Sequence, residues 1–275
     1  MMPLSQHTLN STAVMYGRGL HTGEECRIEL VPSDTDTGVV FISGGEEIRA
    51  VVSNVRDTNR GTTLCGESAE VHTVEHLLAA LAGMGITNVQ VRVEGPEIPA
   101  GDGSALPFVE LIESAGIVDQ RAKSAVVKVT EPIWIADGSK YLLATPDERF
   151  RVTEFISFQH PLIGEDALSL VIDPETFKRE IAPARTFCTS SEIETILSLG
   201  LGKGGTEDNV IVVYEDSYSV PLRFKDEFVR HKVLDLIGDL SLIGASLQAD
   251  VTAIKSSHAL NIALAGKIAE HETKG

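Results

Sequence analysis

Residues 227–271, EFVRHKVLDLIGDLSLIGASLQADVTAIKSSHALNIALAGKIAEH, decide the fold. They read as a helix running to Gly244, a strand over ASLQADVTAIK, a short loop SSH and a second helix over ALNIALAGKIAEH. An earlier stretch follows the same plan. From Glu75 come a helix EHLLAALAGMG, a strand ITNVQVRVEG, a turn-rich loop PEIPAGDGS and a helix ALPFVELIESAG. Gly83, Gly85 and Gly244 stand where helix C-caps belong.

Shorter β-type runs precede each module. ECRIELVPS, TGVVFIS and IRAVVSNV lie upstream of the first, and SAVVKVTEPIWI, KYLLATP, RFRVTEFISF and LSLVI upstream of the second. Strands followed by helix–strand–helix, twice over, predict two α+β domains of similar topology, residues 1–122 and 123–275. Glu192–Leu199 as a helix, GLGKGG (200–205) as a flexible loop and Asn209–Tyr214 as a strand interrupt the second half, and read as an insertion over a site.

Composition narrows the function. The chain has 275 residues, 43% hydrophobic, with 23 Lys+Arg against 40 Asp+Glu and a net charge of −17. Such a balance opposes general affinity for nucleic acid or anionic membranes, which need a basic face. Cys26, Cys65 and Cys188 show neither disulfide-framework nor metal-motif spacing, which fits a reducing, cytoplasmic setting. The N-terminus lacks a basic patch followed by an apolar run, and no stretch reaches the ~18 apolar residues of a spanning helix, so no stable membrane insertion is expected. Gly200, Gly202 and Gly205 satisfy G-x-G-x-x-G, but a helix precedes and a strand follows, the reverse of a dinucleotide site.

Polar residues in apolar settings mark the chemistry. Glu75 and His76 open a helix with Thr73 as its expected N-cap; alone, the acid simply complements the helix dipole. His231 and Asp235 share a helix face at i, i+4, and Asp239 continues it. Val233, Leu234, Leu236, Ile237 and Leu240 make that helix apolar almost all round, so it is buried. Buried carboxylates beside an imidazole are costly without a compensating cation or hydrogen bonds, and a metal ion supplies that compensation. Pooled, His76, His231 and Asp235 form a two-His, one-carboxylate set with an open position, suited to catalytic zinc or ferrous iron. Glu75 then serves as base and His258 as acid, the chemistry of metal-assisted amide or ester hydrolysis. Glu94, Glu97 and Asp102 lack calcium-loop spacing, and Ser104 reads as an N-cap.

Six stretches then carry a specific resemblance: GRGLHTG (17–23), HTVEHLLAAL (72–81), GPEIPAGDGSALPF (95–108), IAPARTF (181–187), RFKDEFVRHKVLDLIGDL (223–240) and KSSHALN (255–261). In order and nearly end to end, the chain resembles the UDP-3-O-acyl-N-acetylglucosamine deacetylases, the zinc enzymes of lipid A synthesis. The resemblance implies two sheets, each layered with two helices, the helices packed between the sheets, and an insert in each domain. The second insert, about 185–213, would form an apolar passage for the substrate's acyl chain. It implies zinc on His76, His231 and Asp235, Glu75 as general base and His258 as general acid oriented by Asp239. Lys232 and Thr186 would stabilise the oxyanion. Lys255 is similar to a lysine near the diphosphate, and Phe187 and Phe158 fall where the family contacts sugar or uridine. His21 lies near the family's site with no fixed role. Ser257 stands where many members have Gly, which raises the question of a positive φ there.

Two other readings stay open: a metal amidohydrolase acting on another N-acylated sugar, and a non-catalytic nucleotide-sugar or acyl-chain binding protein. The expected partner is a UDP-linked acylated amino sugar, handled by a monomer.

Overall fold

A computed structural model describes residues 5–272. In the first half, strands Ala13–Arg18, Glu25–Pro32, Val39–Ser43, Glu46–Arg49 and Val89–Glu94 form one sheet. Across it the order is 13–18, 25–32, 89–94, 39–43, 46–49, and only the 89–94/39–43 pair is parallel. In the second half, Ile133–Asp137, Lys140–Thr145, Phe150–Ser157, Glu165–Val171 and Ser246–Ile254 do the same. Their order is 133–137, 140–145, 246–254, 150–157, 165–171, again with one parallel pair at the corresponding place. Val126–Lys128 adds a short parallel strand beside 246–254. Apart from that added strand, the two sheets share a topology strand for strand.

Among the described residues there are six α-helices: α1 (Glu75–Gly83), α2 (Leu106–Ala115), α3 (Pro174–Thr176), α4 (Ile193–Ser198), α5 (Glu227–Ser241) and α6 (His258–Glu272). In each half the inner strand lies between two helices in sequence, α1 and α2 around 89–94, α5 and α6 around 246–254. Alternation sets the buried face of 246–254: Leu247, Ala249, Val251 and Ala253 point inward while the residues between are partly exposed. One hydrophobic core takes in the inner faces of both sheets and residues of α1, α2, α5 and α6.

The helices α1 and α5 pack directly on one another, and Gly238 permits it. A Cβ at that position would collide with the backbone carbonyl of Glu75, so the close approach is fixed at the point where both helices carry acidic side chains. Gly83 lies inside α1 rather than capping it, and leaves room for the Phe177 ring. The left-handed positions past the helix ends are Gly85 (φ 74°) and Gly244 (φ 80°).

Four expectations are corrected. IRAVVSNV is no single strand: pairing stops at Arg49 and a 3₁₀ turn occupies Val52–Asn54, because the Val52 N–H donates to the Leu242 carbonyl instead. Thr73 does not cap α1. It sits at φ 57° and its hydroxyl donates to Glu97, while Val74 precedes the helix without a side-chain cap. The serine before α2 acts one residue early, its Oγ accepting from the Leu106 N–H. GLGKGG is held against the first half: Gly200 (φ 77°) and Gly202 (φ 69°) take left-handed backbone, while Gly204 serves close approach. The Lys203 and Gly204 N–H groups donate to the carbonyls of His21 and Leu20, and a Cβ at Gly204 would strike the Gly19 carbonyl.

The expected inserts fall between the fourth strand and the first long helix of each half. The first comprises short strands Val55–Asp57, Thr63–Cys65 and Glu70–Val71. The second runs through α3 and α4 and includes the parallel pair Phe187–Thr189 and Ile211–Val213. Arg60 of the first bonds Glu192 of the second at 2.9 Å.

Candidate active site

His76 opens α1, and His231 and Asp235 face it from α5 one turn apart. All three are buried, with ligand-type atoms within 4.8 Å of one another. Asp235 Oδ1 lies 3.6 Å from His76 Nε2 and 3.4 Å from His231 Nε2. His231 Nδ1 is 3.1 Å from the Ala184 carbonyl oxygen. A carbonyl only accepts, so Nδ1 carries the proton and Nε2 keeps its lone pair toward the cluster. Burial lowers the His231 pKa to about 4, which keeps the ring neutral.

Asp235 Oδ1 is buried with no hydrogen-bond partner. Its companion Oδ2 accepts from Lys232 Nζ at 2.7 Å. Burial works against charge on Asp235, yet the Lys232 ammonium holds its carboxyl well below the usual range. An ionised carboxylate oxygen left unpaired beside two imidazole nitrogens fits a divalent cation.

Glu75, the neighbour of His76, is 2% exposed and accepts the Thr62 N–H at 2.8 Å through Oε2. Burial raises its pKa, with His258 and His76 opposing. Across the cluster, His258 begins α6, its Nε2 4.0 Å from Asp235 Oδ2. Asp239, one turn beyond Asp235 and fully buried, lies 2.8 Å from His258 Nδ1. Burial opposes charge on His258, but Asp239 outweighs it and lifts the pKa to about 9. Thr62 Oγ1 and Asn261 Nδ2 donate to the two oxygens of Asp239 at 2.6 and 2.9 Å.

The cluster opens into a cavity of about 680 Å³. His231, Lys232, Asp235 and His258 line it, together with Thr186, Phe187, Phe158 and His21. Phe187 is packed edge-on against Phe158, with ring centres 5.5 Å apart, and lies 6.2 Å from His231. His21 is tied down: its N–H donates to Glu97, and its Nε2 is 3.0 Å from the Arg60 carbonyl. Ile193, Ile196, Leu197, Val210 and Val212 of the second insert form an apolar wall. Lys255 stands apart, lining a separate shallow hollow with Phe155 and Ile254. It is also where the left-handed backbone occurs, φ 55°, so the question raised by Ser257 moves two residues upstream.

Several residues at the site escaped sequence reasoning. Lys140 and Arg60 bring positive charge to the cavity from the second sheet and the first insert. Glu154 is fully buried, accepts the Ser256 N–H at 3.2 Å, and leaves Oε2 unpartnered. Glu97 accepts from His21, Thr22 and Thr73 at once and so fixes the loop that carries His21. Asn261, three residues past His258 on α6, had a readable helical spacing. Thr62 and Glu154 had no local signal, since each reaches the site only through tertiary folding.

Two imidazoles, one unpaired carboxylate oxygen, a buried acid and an imidazole raised above neutrality make the donor set that metallohydrolases use. Comparison with known proteins gives the family. The family model described as LpxC, UDP-3-O-acyl N-acetylglycosamine deacetylase, matches residues 6–270, and the chain belongs to that family. A UDP-3-O-acyl-N-acetylglucosamine deacetylase of Anaeromyxobacter sp. (strain Fw109-5) is 44% identical over 268 residues, 96% of this chain and 88% of the relative. Deacetylases of the same name from Myxococcus xanthus (strain DK1622) and Saccharophagus degradans are 43% and 44% identical, covering 96% and 94% of this chain and 86% and 88% of their own lengths. Among the described residues no helix is long and apolar enough to cross a membrane.

Proposed function

We propose that the chain hydrolyses the N-acetyl amide of a UDP-3-O-acyl-N-acetylglucosamine, releasing acetate and the UDP-3-O-acyl-glucosamine, the committed step of lipid A biosynthesis. The observation that carries the reading is the unpaired Asp235 Oδ1 among two imidazoles, with Glu75 and His258 on either side. His76, His231 and Asp235 would hold the metal ion, zinc in preference to ferrous iron. Bound there, the ion supplies a Lewis acid for the amide carbonyl and acidifies an attacking water.

The chain's own groups do the rest. Glu75, ionised, takes the proton from the attacking water as it adds to the carbonyl carbon. The Lys232 ammonium offsets the negative charge that grows on the carbonyl oxygen, with the Thr186 hydroxyl beside the same cavity. His258 then delivers its proton to the departing amine, held in one tautomer by Asp239. Lys232 and Lys140 favour the diphosphate inside an acidic protein, and Lys255 approaches it from the neighbouring hollow only if the substrate extends that far. Phe187 and Phe158 take the sugar or uridine face, His21 borders it, and the apolar wall of residues 193–212 takes the acyl chain.

The reading includes two domains, 1–122 and 123–275, working as a cytoplasmic monomer. Substrate dissection tests it: removal of the UDP moiety should abolish turnover. Equal turnover of a simple N-acetyl sugar would instead favour a broader amidohydrolase, and binding without acetate release would favour a binding protein.

A further inference from the structure

Helices α1 and α5 carry the site at one end and open onto a second cavity at the other. Its volume is about 300 Å³. Leu81 and Ile86 of the first half and Phe150, Leu240 and Leu247 of the second form its apolar walls. Ser124, in the connection between the halves, lines it at 5% exposure, and its Oγ has no hydrogen-bond partner. A buried hydroxyl is seldom left unsatisfied unless something else fills the space.

Arg49 stands where the lining is exposed. Its guanidinium donates only to the Thr37 carbonyl, at 3.3 Å, and pairs with no carboxylate among the described residues. The other charged group in the lining, Asp36, is engaged with Gln6 through both its carboxylate and its N–H. Leu81 and Ala82 at the C-terminal end of α1 and Leu240 and Ser241 at that of α5 line the interior, and the negative end of a helix dipole disfavours an anion there. An anionic group therefore belongs at the rim on Arg49, and an apolar chain inside.

At roughly 30 Å³ per water-sized group, the volume holds about ten such groups. The geometry points to a binding site for a medium-chain fatty acid, its tail between the halves and its carboxylate on Arg49. A hydroxyl on the chain would find Ser124. The ligand sits against the two helices that carry Glu75, His76, His231 and Asp235, but touches none of them.

Isothermal titration with sodium decanoate and with 1-decanol tests this on the full chain, on Arg49→Ala and on Ala82→Leu, which fills the cavity from α1 with a good helix former. Decanoate should bind the parent at least tenfold more tightly than decanol. Arg49→Ala should reduce decanoate to the decanol level, and Ala82→Leu should weaken both more than tenfold. Deacetylation without added fatty acid should stay within twofold in both variants. Thermal melting reports whether Ala82→Leu folds, and the exposed Arg49→Ala carries the test if it does not. Absence of binding overturns the proposal, as does decanoate binding indifferent to both substitutions, which would put the chain in the cavity beside the second insert. Equal affinity for decanoate and decanol overturns the assignment of the carboxylate to Arg49.

Discussion

Asp239 Oδ2 lies 2.8 Å from His258 Nδ1; Asn261 donates to the same oxygen and Thr62 to its companion Oδ1. The carboxylate is thereby committed to the imidazole and lifts its pKa to about 9. His258 is then protonated at neutral pH, ready to serve as an acid. Glu75, raised by burial, ionises above the ordinary carboxylate range. The rate should therefore be bell-shaped in pH, rising as Glu75 ionises and falling near pH 9 as His258 loses its proton. In Asp239→Asn the falling limb should move down by about one pH unit or more. A rate flat from pH 5 to 9 contradicts the pair.

The same group bears on stability. Because the folded pKa of His258 exceeds its unfolded value, its contribution is full below pH 6.5 and is lost as pH rises through about 9. Glu154 has the same sign: burial raises its carboxyl to about 7, so the neutral form favours folding and the gain disappears from about 4.5 to 7. Glu154→Gln, permanently neutral, should melt with the parent at pH 4 and above it at pH 8. Equal melting temperatures at both would show that this carboxylate is not strained by its surroundings.

Glu97 has the opposite sign. Burial opposes its charge, but the His21 and Thr22 N–H groups and two hydroxyls outweigh burial and hold its pKa below the ordinary value. Its contribution is present above that value and lost as pH falls through the folded pKa. Glu97→Ala should cost about 2–4 kcal/mol at pH 7, since four donors lose an ionised acceptor. The gap between parent and variant urea midpoints should narrow toward pH 3.

Gly238→Ala adds one methyl group where the Glu75 carbonyl already sits. Prising α1 from α5 should destabilise the fold by about 1–3 kcal/mol. It should also lower metal content, because His76 and the α5 ligands move apart. A variant with full metal content and parental stability would show that the helix contact does not set the site.

The doubled plan was legible because helical and alternating periods are local properties, and both modules keep them in the same order. The site was legible where its residues lie on helices: His231, Asp235 and Asp239 share a face, and α5 is too apolar for that face to be solvated. What escaped was tertiary. Glu154 sits mid-strand, Thr62 on a loop of the first insert, and Lys140 beside a hairpin, and nothing in their neighbours announces that Lys140 lines the cavity or that the other two bond residues around it. Thr73 misled because a hydroxyl before a helix usually caps it, whereas here Glu97 claims it. The Gly-rich loop misled because glycine signals freedom and close approach alike.

Acetate release from UDP-3-O-acyl-N-acetylglucosamine, measured before chelation, after it and after zinc is returned, decides whether a metal held by His76, His231 and Asp235 drives the hydrolysis. The protein as purified should be active, lose activity on chelation and regain it with zinc, whereas a His76→Ala/His231→Ala double variant should be inactive throughout. Undiminished release by the chelated protein or by that variant would contradict it.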